Sequence, residues 1–147
     1  MKKYKKIPNV GSVMTPFPYF VNTDDEIAEV ERLMAEHRIH HVPVQQEGRV
    51  VGVVSDRDLY HLLHRLFPDT DRARLRARDV IMEDPYIVSF DTPLNDVALE
   101  MARRRTGSAI IVHHDRLAGI LSVTDICRIL AEIFQSEFSP PSGDDAA

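Results

Sequence analysis

Several features that mark particular classes of protein are missing from this chain of 147 residues. Cys127 is the only cysteine, so no internal disulfide can form and a reducing, cytoplasmic setting is expected. No apolar run reaches the roughly 18 residues that predict a membrane span. The basic N-terminus leads into no long apolar stretch, so we expect no secretory signal. Cys127 itself falls in an apolar helical segment and is expected to be buried.

The common signatures of catalysis and metal binding are also absent. The sequence has no nucleophile elbow, no Gly-x-x-x-x-Gly-Lys-Ser/Thr loop, no Gly-x-Gly-x-x-Gly and no His-Glu-x-x-His. His37 and His41 have the spacing of two metal ligands, but no paired cysteines accompany them. We therefore expect neither an enzyme nor a metal site. Surface histidines, or histidines that contact phosphate in a pH-dependent way, are favoured.

The net charge of −5 argues against general nucleic-acid binding, which depends on neutralising phosphates. Positive charge is nevertheless clustered at residues 2–6, 72–78 and 103–105. These clusters fit solvated helix faces and a loose N-terminal arm, or local anion binding. No helix-turn-helix or zinc pattern supports a DNA-linked role for the second cluster.

The chain contains one structural unit written twice. When it is displaced by 67 positions, Pro18 falls on Pro85, and the register holds without a gap to Phe67 on Phe134. Fourteen of the fifty superposed positions are identical. One residue of slack before Pro18 also places Met14 on Met82. Repetition of this kind indicates two copies of one supersecondary unit.

Each copy predicts the order strand, helix, strand, strand, helix. Apolar stripes at helical spacing mark the helices of the two copies: Ile27, Val30, Met34 and Leu59, Leu62, Leu63, Leu66 in the first, and Leu94, Val97, Met101 and Ile126, Ile129, Leu130, Ile133 in the second. Gln46–Gly48 and His114–Asp115 are predicted hairpin turns. Thr23–Glu26 resembles a capping box, and Pro93 suits the first position of a helix.

A unit of this size has too little interior to be stable alone. Two copies are therefore expected to pack sheet against sheet around a pseudo-two-fold axis, in an α/β (α+β) fold. The predicted segments are a basic N-terminal arm (1–10), a first repeat (11–67), a polar Arg-rich linker (68–77), a second repeat (78–136) and a disordered tail (137–147).

Each copy ends in the same turn, Gly-x-x-Ser-x-x-Asp, at Gly52–Asp58 and Gly119–Asp125. A strand runs into a helix there, so Ser is expected at the N-cap with Asp three residues on. The Ser hydroxyl can also donate to a phosphate, and the Asp carboxylate can accept from two vicinal hydroxyls such as those of a ribose. The Gly is expected to allow a ligand close to the backbone. Two matches at equivalent positions favour a paired ligand site over capping alone.

Met14-Thr-Pro16, a capped helix, His37–Val44 and Gly52–Asp58 together resemble a cystathionine-β-synthase (CBS) domain, and residues 81–125 resemble its partner. The resemblance covers nearly the whole chain and implies a stand-alone CBS pair, or Bateman module. It implies two related clefts that bind an adenine nucleotide as a regulatory ligand, with no required cofactor. AMP is the first expectation, with ADP, ATP or S-adenosylmethionine as alternatives. A homodimer formed through the CBS helices and an unidentified effector protein are the implied partners.

The resemblance also implies roles for residues that match the family pattern. Asp58 and Asp125 match the ribose-binding aspartates, and Ser55 and Ser122 match the residue that faces the phosphate. The strands whose main chain reads the adenine edge contain Val21 and Val88. Further residues implied at the clefts are Val42, Pro43, Ala109 and Ile110 as walls for the base, His40 and His41 as phosphate contacts, Thr15 near the first cleft, and Arg57 with its counterpart Thr124.

The two copies are not equal. The second has Gly107-Ser108 where the first has His40-His41, Val123-Thr124 where the first has Asp56-Arg57, and Glu83-Asp84 where the first has Thr15-Pro16. We expect unequal affinities, with the Asp58 site the better one for a phosphate. The alternative is a degenerate pair without a ligand, acting only as a dimerisation or interaction module.

Overall fold

The computed structural model describes residues 6–66, 72–81 and 84–138. Their fold consists of two small sheets and the helices that pack on them. The strands are β1 (Thr15–Pro16), β2 (Val21–Asn22), β3 (His41–Gln46), β4 (Arg49–Ser55), β5 (Ile87–Ser89), β6 (Ser108–His113) and β7 (Arg116–Ser122). The helices are α1 (Ile27–His37), α2 (Asp56–His61, continued by a π-helical turn to Leu66), α3 (Leu94–Arg104) and α4 (Val123–Glu137). The predicted strand-helix-strand-strand-helix order is confirmed in both repeats.

The sheets are mixed and follow the same pattern. In each repeat the first strand runs parallel to the second, which is antiparallel to the third: β2-β3-β4 and β5-β6-β7. Two-residue turns join the antiparallel strands at Glu47–Gly48 and His114–Asp115, and all four residues have positive φ. Such turns match the right-handed twist of the strands, which confirms both predicted hairpins. The guanidinium of Arg116 reaches across to the carbonyl of Gly48 at 3.4 Å.

The segment preceding each repeat packs on the other repeat. Ile27 N–H donates to the carbonyl of Leu75 at 3.3 Å, and Leu94 N–H donates to the carbonyl of Pro8 at 2.9 Å. The two donors lie 67 positions apart, and so do the two acceptors. In the same way β1 pairs antiparallel with β7 of the second repeat. The repeat register therefore extends back to residue 8.

The exchanged segments also contribute buried side chains to the two hydrophobic cores. Leu75, Ala77 and Val80 lie in the core of the first repeat, among the side chains of α1 and its sheet. Val10 is fully buried in the core of the second repeat, with Met14 packed against it. Each core is thus completed by residues that precede the opposite unit.

The glycine of each repeated turn makes room for one of these exchanged side chains. A Cβ added at Gly52 would lie 2.7 Å from two carbon atoms of Ile81, and one added at Gly119 would overlap Met14. The expectation that these glycines admit a ligand is therefore wrong. Met14 and Ile81 occupy equivalent positions and are 67 residues apart. The repeat register therefore holds at these residues without the one-residue shift that was predicted before Pro18. Met82 lies outside the described residues.

Three local predictions fail because distant parts of the chain decide them. The Thr23–Glu26 capping box does not form; Glu26 is the N-cap without a side-chain bond, and the first helical N–H binds Leu75 instead. Pro93 is the N-cap of α3, one position before the helix. Cys127 is exposed, and Leu130 is 48% exposed, because α4 buries mainly the opposite side, around Ile129.

The outer segments are described only in part. The predicted arm is described from residue 6, the linker from residue 72, and α4 continues to Glu137 before the tail. Glu83, residues 67–71 and residues 139–147 lie outside the described part of the chain. Among the residues that are described, no helix has the length and apolar character needed to cross a bilayer.

Replacing Gly52 tests the packing of the exchanged segment. Gly52→Ala is expected to lower the free energy of unfolding by about 1–3 kcal/mol, because the new methyl group overlaps Ile81. The double variant Gly52→Ala/Ile81→Ala should lose less than the sum of the two single variants, since the overlapping side chain is gone. Urea unfolding of all three variants measures the difference, and strictly additive losses would contradict this account.

Candidate functional site

A cavity of about 680 Å³ lies at the first Ser-x-x-Asp turn and is shared by both repeats. The turn contributes Ser55, Arg57 and Asp58. The strands of the first repeat contribute His41 and Val53, and the second repeat contributes Arg105 at the end of α3. The remaining lining residues are Asp56, Asp84, Ala98, Met101, Ala102, Thr106, Gly107, Ser108, Val123 and Ile126.

A second cavity, of about 370 Å³, lies at the other turn. Its walls come from Ser122–Asp125 of the second repeat and from Arg38–His41 of the first. Thr15, Gly107 and Ile120 complete the lining. We call the two cavities the Asp58 cleft and the Asp125 cleft.

The two clefts are built by the same rule. In each, the turn of one repeat faces the residues that end the first helix of the other repeat. The C-caps of those helices are Arg38 and Arg105, which are 67 positions apart and both adopt the left-handed conformation, with φ of 52° and 54°. Non-glycine residues adopt this conformation infrequently, and here it places an arginine beside each cleft.

The serines act as helix caps, as predicted. Ser55 Oγ accepts a hydrogen bond from Asp58 N–H at 3.0 Å, and Ser122 Oγ accepts one from Asp125 N–H at 3.1 Å. Each bond satisfies one of the free N–H groups at a helix start. The hydroxyl proton of Ser55 stays available, since the cap uses only a lone pair of the oxygen.

The two aspartates differ in what their carboxylates do. Asp125 accepts from the backbone N–H and the hydroxyl of Ser122, both at 2.9 Å, and from Arg128 at 3.1 Å. It therefore closes a full capping box and holds an ion pair on α4. The carboxylate of Asp58 forms no hydrogen bond or ion pair within the described residues. Asp58 is thus free to accept from a ligand, whereas Asp125 is already engaged.

His41 lies between the clefts and lines both of them. Its ring packs on Gly107, where an added Cβ would lie 2.7 Å from Nε2. Burial lowers the pKa of His41, although the carboxylate of Asp56 acts in the opposite direction. The imidazole is therefore biased toward its neutral form, which offers one N–H donor.

His40 lies at the Asp125 cleft, so its role as a phosphate contact stays a prediction. Its Nδ1 lies 2.6 Å from Oδ2 of Asp56, on the surface, and it lines the Asp125 cleft and not the Asp58 cleft. Thr15 also lines the Asp125 cleft, because β1 is paired with β7 of the second repeat. The placement of Thr15 near the first cleft is therefore wrong.

Six predicted contacts line neither cleft. They share buried positions in the strands: Val21, Val42, Pro43, Val88, Ala109 and Ile110. Val21 and Val88 lie in β2 and β5, at the ends of the two sheets as described, so one side of each backbone has no strand beside it. Arg57 and Thr124 lie at equivalent places in the Asp58 and Asp125 clefts.

The sequence interpretation did not assign Arg38 to a cleft, and it noted Arg105 only as part of a basic cluster. A signal was present, because they form one of the identical pairs in the 67-residue register. Met101 and Ala102 were missed for another reason: they were read only as parts of a helix, and their helix reaches the cleft of the opposite repeat. Among the described residues, no group of three or more His, Cys, Asp or Glu side chains is arranged to hold a metal ion.

Two matches to one family decide what the repeated unit is. The family model of the CBS domain matches residues 10–65 and residues 77–132, which are again 67 positions apart. The chain belongs to the CBS domain family. The matched ranges include both Ser-x-x-Asp turns and the Val10 and Ala77 segments that the structure exchanges between the repeats.

Several proteins of different kinds contain regions similar to this chain. A zinc metalloprotease of Methanocaldococcus jannaschii is 30% identical over 119 residues, covering 81% of this chain but only 31% of the relative. The solved structure of CBSX2 in complex with AMP has a TM-score of 0.72 and 27% identity, covering 85% of this chain and 97% of that one. The CBS domain of a bacterial CNNM/CorC family Mg²⁺ transporter, in complex with ATP, has a TM-score of 0.70 and 25% identity, covering 85% and 86%.

The unequal use of the two aspartates predicts unequal effects on the stability of this CBS pair. Asp125→Ala is expected to lower the free energy of unfolding by about 0.5–2 kcal/mol, because it opens the capping box with Ser122 and breaks the ion pair with Arg128. Asp58→Ala should change it much less, since that carboxylate holds nothing in the described structure. Urea unfolding of the two variants gives the comparison, and equal losses would show that Asp58 also has a structural role.

Proposed function

We propose that this CBS pair is a regulatory module that binds an adenine nucleotide, AMP in the first place, with the Asp58 cleft as its main site. The observation that carries the proposal is the free carboxylate of Asp58 in a cleft that also contains Ser55 and two arginines. A regulatory role, without catalysis, fits a site that offers binding groups and no activated nucleophile.

The Asp58 cleft supplies the groups that a ribose phosphate needs. The carboxylate of Asp58 accepts from the two vicinal hydroxyls of the ribose. Ser55 Oγ, Arg57 and Arg105 donate to the phosphate, and arginine is suited to phosphate because its planar guanidinium can form two parallel bonds. The cavity of about 680 Å³ is within the usual size of a small-molecule site, roughly 300–1,000 Å³.

The Asp125 cleft is the weaker site in this proposal. Its aspartate would have to give up bonds to Ser122 and Arg128 to bind a ribose. Thr124 stands where the first turn has Arg57, which removes one positive charge from the turn. Arg38 and His40 of the other repeat still provide donors for a phosphate.

The similar proteins support this ligand class. The CBSX2 structure contains AMP and the transporter CBS domain contains ATP, in each case bound to that protein. Both have folds similar to that of this chain, with TM-scores of 0.72 and 0.70. The metalloprotease activity of the curated relative is not part of the proposal, because this chain spans 31% of that protein.

The regulatory step follows from the position of the clefts. Each cleft draws groups from both repeats, so a ligand that bridges them favours one relative arrangement of the repeats over others. A ligand shifts such an equilibrium only by its difference in affinity for the two states. An effector protein in the cytoplasm that recognises the favoured state would then receive the signal.

Nucleotide binding can be tested by isothermal titration calorimetry with AMP, 2′-deoxy-AMP and ATP. AMP should bind the wild type with a dissociation constant well below millimolar. Asp58→Ala should weaken the main site by about 1–3 kcal/mol, the cost of losing hydrogen bonds to a charged group, and 2′-deoxy-AMP should lose affinity for the same reason. Asp125→Ala serves as the matched variant and should leave the main site unchanged. If no nucleotide binds below millimolar concentration, the proposal is wrong.

A homodimer through α4 is the second part of the proposal. The helix exposes three apolar side chains at spacings of three and four, and Phe138 follows just after its end: Cys127, Leu130, Phe134 and Phe138. Spacings of this kind form a seam between paired helices. Phe134 is 52% exposed and Phe138 64% exposed, and burying such rings against a second copy would be favourable.

The dimer is tested by light scattering after size-exclusion chromatography. Phe134→Glu should convert a dimer into a monomer, because it places a charge in the apolar seam. Leu99→Glu is the control, since Leu99 is 69% exposed on α3 and lies outside that seam. A wild-type monomer at working concentration would contradict the dimer. A dimer that binds no nucleotide would instead favour the ligand-free interaction module.

A further inference from the structure

Each repeat has a groove between its two helices, and the two grooves differ in one respect. In the first repeat the α1–α2 groove is a separate cavity of about 350 Å³. In the second repeat the equivalent α3–α4 groove is continuous with the Asp58 cleft, within the single cavity of about 680 Å³. The groove portion of that cavity is lined by Ala98, Met101, Ala102, Val123 and Ile126.

The two repeats differ in one pair of side chains at the point where groove and cleft meet. In the first repeat, His40 and Asp56 form a bond of 2.6 Å across the end of the α1–α2 groove. His40 also lines the Asp125 cleft, so it stands between the groove and that cleft. The equivalent positions in the second repeat are Gly107 and Val123, which cannot form such a bond. The α3–α4 groove therefore opens into the cleft.

The chemistry of the open groove differs from that of the cleft it joins. The cleft contains Ser55, Arg57, Asp58 and Arg105, whereas the groove is lined by alanine, valine, isoleucine and methionine side chains. Arg105 lies at the junction, next to Thr106 and Gly107. A phosphate bound by Arg105 would lie at the entrance of this apolar groove.

We infer that the Asp58 cleft is built for an adenine nucleotide whose phosphate carries an apolar substituent, with that substituent lying in the α3–α4 groove. The inference rests on the proposed function and deepens it by naming the ligand class. The Asp125 cleft, closed by His40 and Asp56, takes only the compact mononucleotide. Asp84, at the Asp58 cleft, disfavours further phosphates and so favours an apolar extension over an anionic one.

The Asp58 cleft should prefer an apolar ester of AMP to AMP itself, and a substitution that fills the α3–α4 groove should remove this preference. The probes are AMP and its O-butyl phosphodiester, titrated calorimetrically into the full chain with Asp125→Ala, which isolates the Asp58 cleft. The ester is expected to bind at least fivefold more tightly than AMP. Ala102→Trp fills the groove and should reduce the ratio of ester affinity to AMP affinity by at least tenfold.

The repeat supplies a matched control. Ala35 is the equivalent of Ala102, 67 positions earlier, and both are exposed on their helices. Ala35→Trp fills the closed α1–α2 groove and should leave the ratio unchanged. If Ala102→Trp does not fold, Ala98→Leu obstructs the same groove with a smaller side chain.

The reverse experiment opens the first groove. With Asp58→Ala isolating the Asp125 cleft, the double change His40→Gly/Asp56→Val reproduces the residues of the second repeat and should raise the ester-to-AMP ratio there. AMP binding without an ester preference at the Asp58 cleft, or an equal effect of Ala102→Trp and Ala35→Trp, overturns the inference alone. Failure of AMP itself to bind overturns the proposed function and the inference with it.

Discussion

The exchange of segments between the repeats is the constraint on which the rest of the structure depends. Neither repeat completes its own core: Leu75 and Ala77 close the first, and Val10 closes the second. The first N–H of α1 and of α3 is satisfied by a carbonyl from these segments, not by a local side chain. Once the segments are exchanged, the sheets are held together and each turn faces the helix end of the other repeat.

The two repeats have equivalent backbones, so the chemical differences between the clefts come from individual side chains. Asp58 and Asp125 occupy equivalent positions, yet one carboxylate is free in the described structure and the other caps α4 and binds Arg128. The clefts also differ at one pair of positions, which is His40 with Asp56 in one repeat and Gly107 with Val123 in the other. The duplicated scaffold thus has two clefts of different chemistry within one fold.

The fold could be predicted because its signals are local and appear twice. Helical stripes and turn residues depend on neighbours in sequence, and the 67-residue register shows each of them a second time. The roles of Gly52, Thr15 and Arg105 could not be read in this way, because their contacts come from the opposite repeat. Cys127 was misplaced for a related reason: an apolar helix shows which residues could be buried, whereas the packing partner decides which side of the helix is.

The position of His41 has a consequence for how the clefts relate to each other. One imidazole lines both clefts, and it can direct its single N–H to only one phosphate at a time. If both clefts held a nucleotide, the two phosphates would compete for this N–H, and each nucleotide would lower the affinity of the other cleft. By linkage the penalty is the same whichever cleft fills first. Such a pair would respond over a wider range of nucleotide concentration than two independent sites.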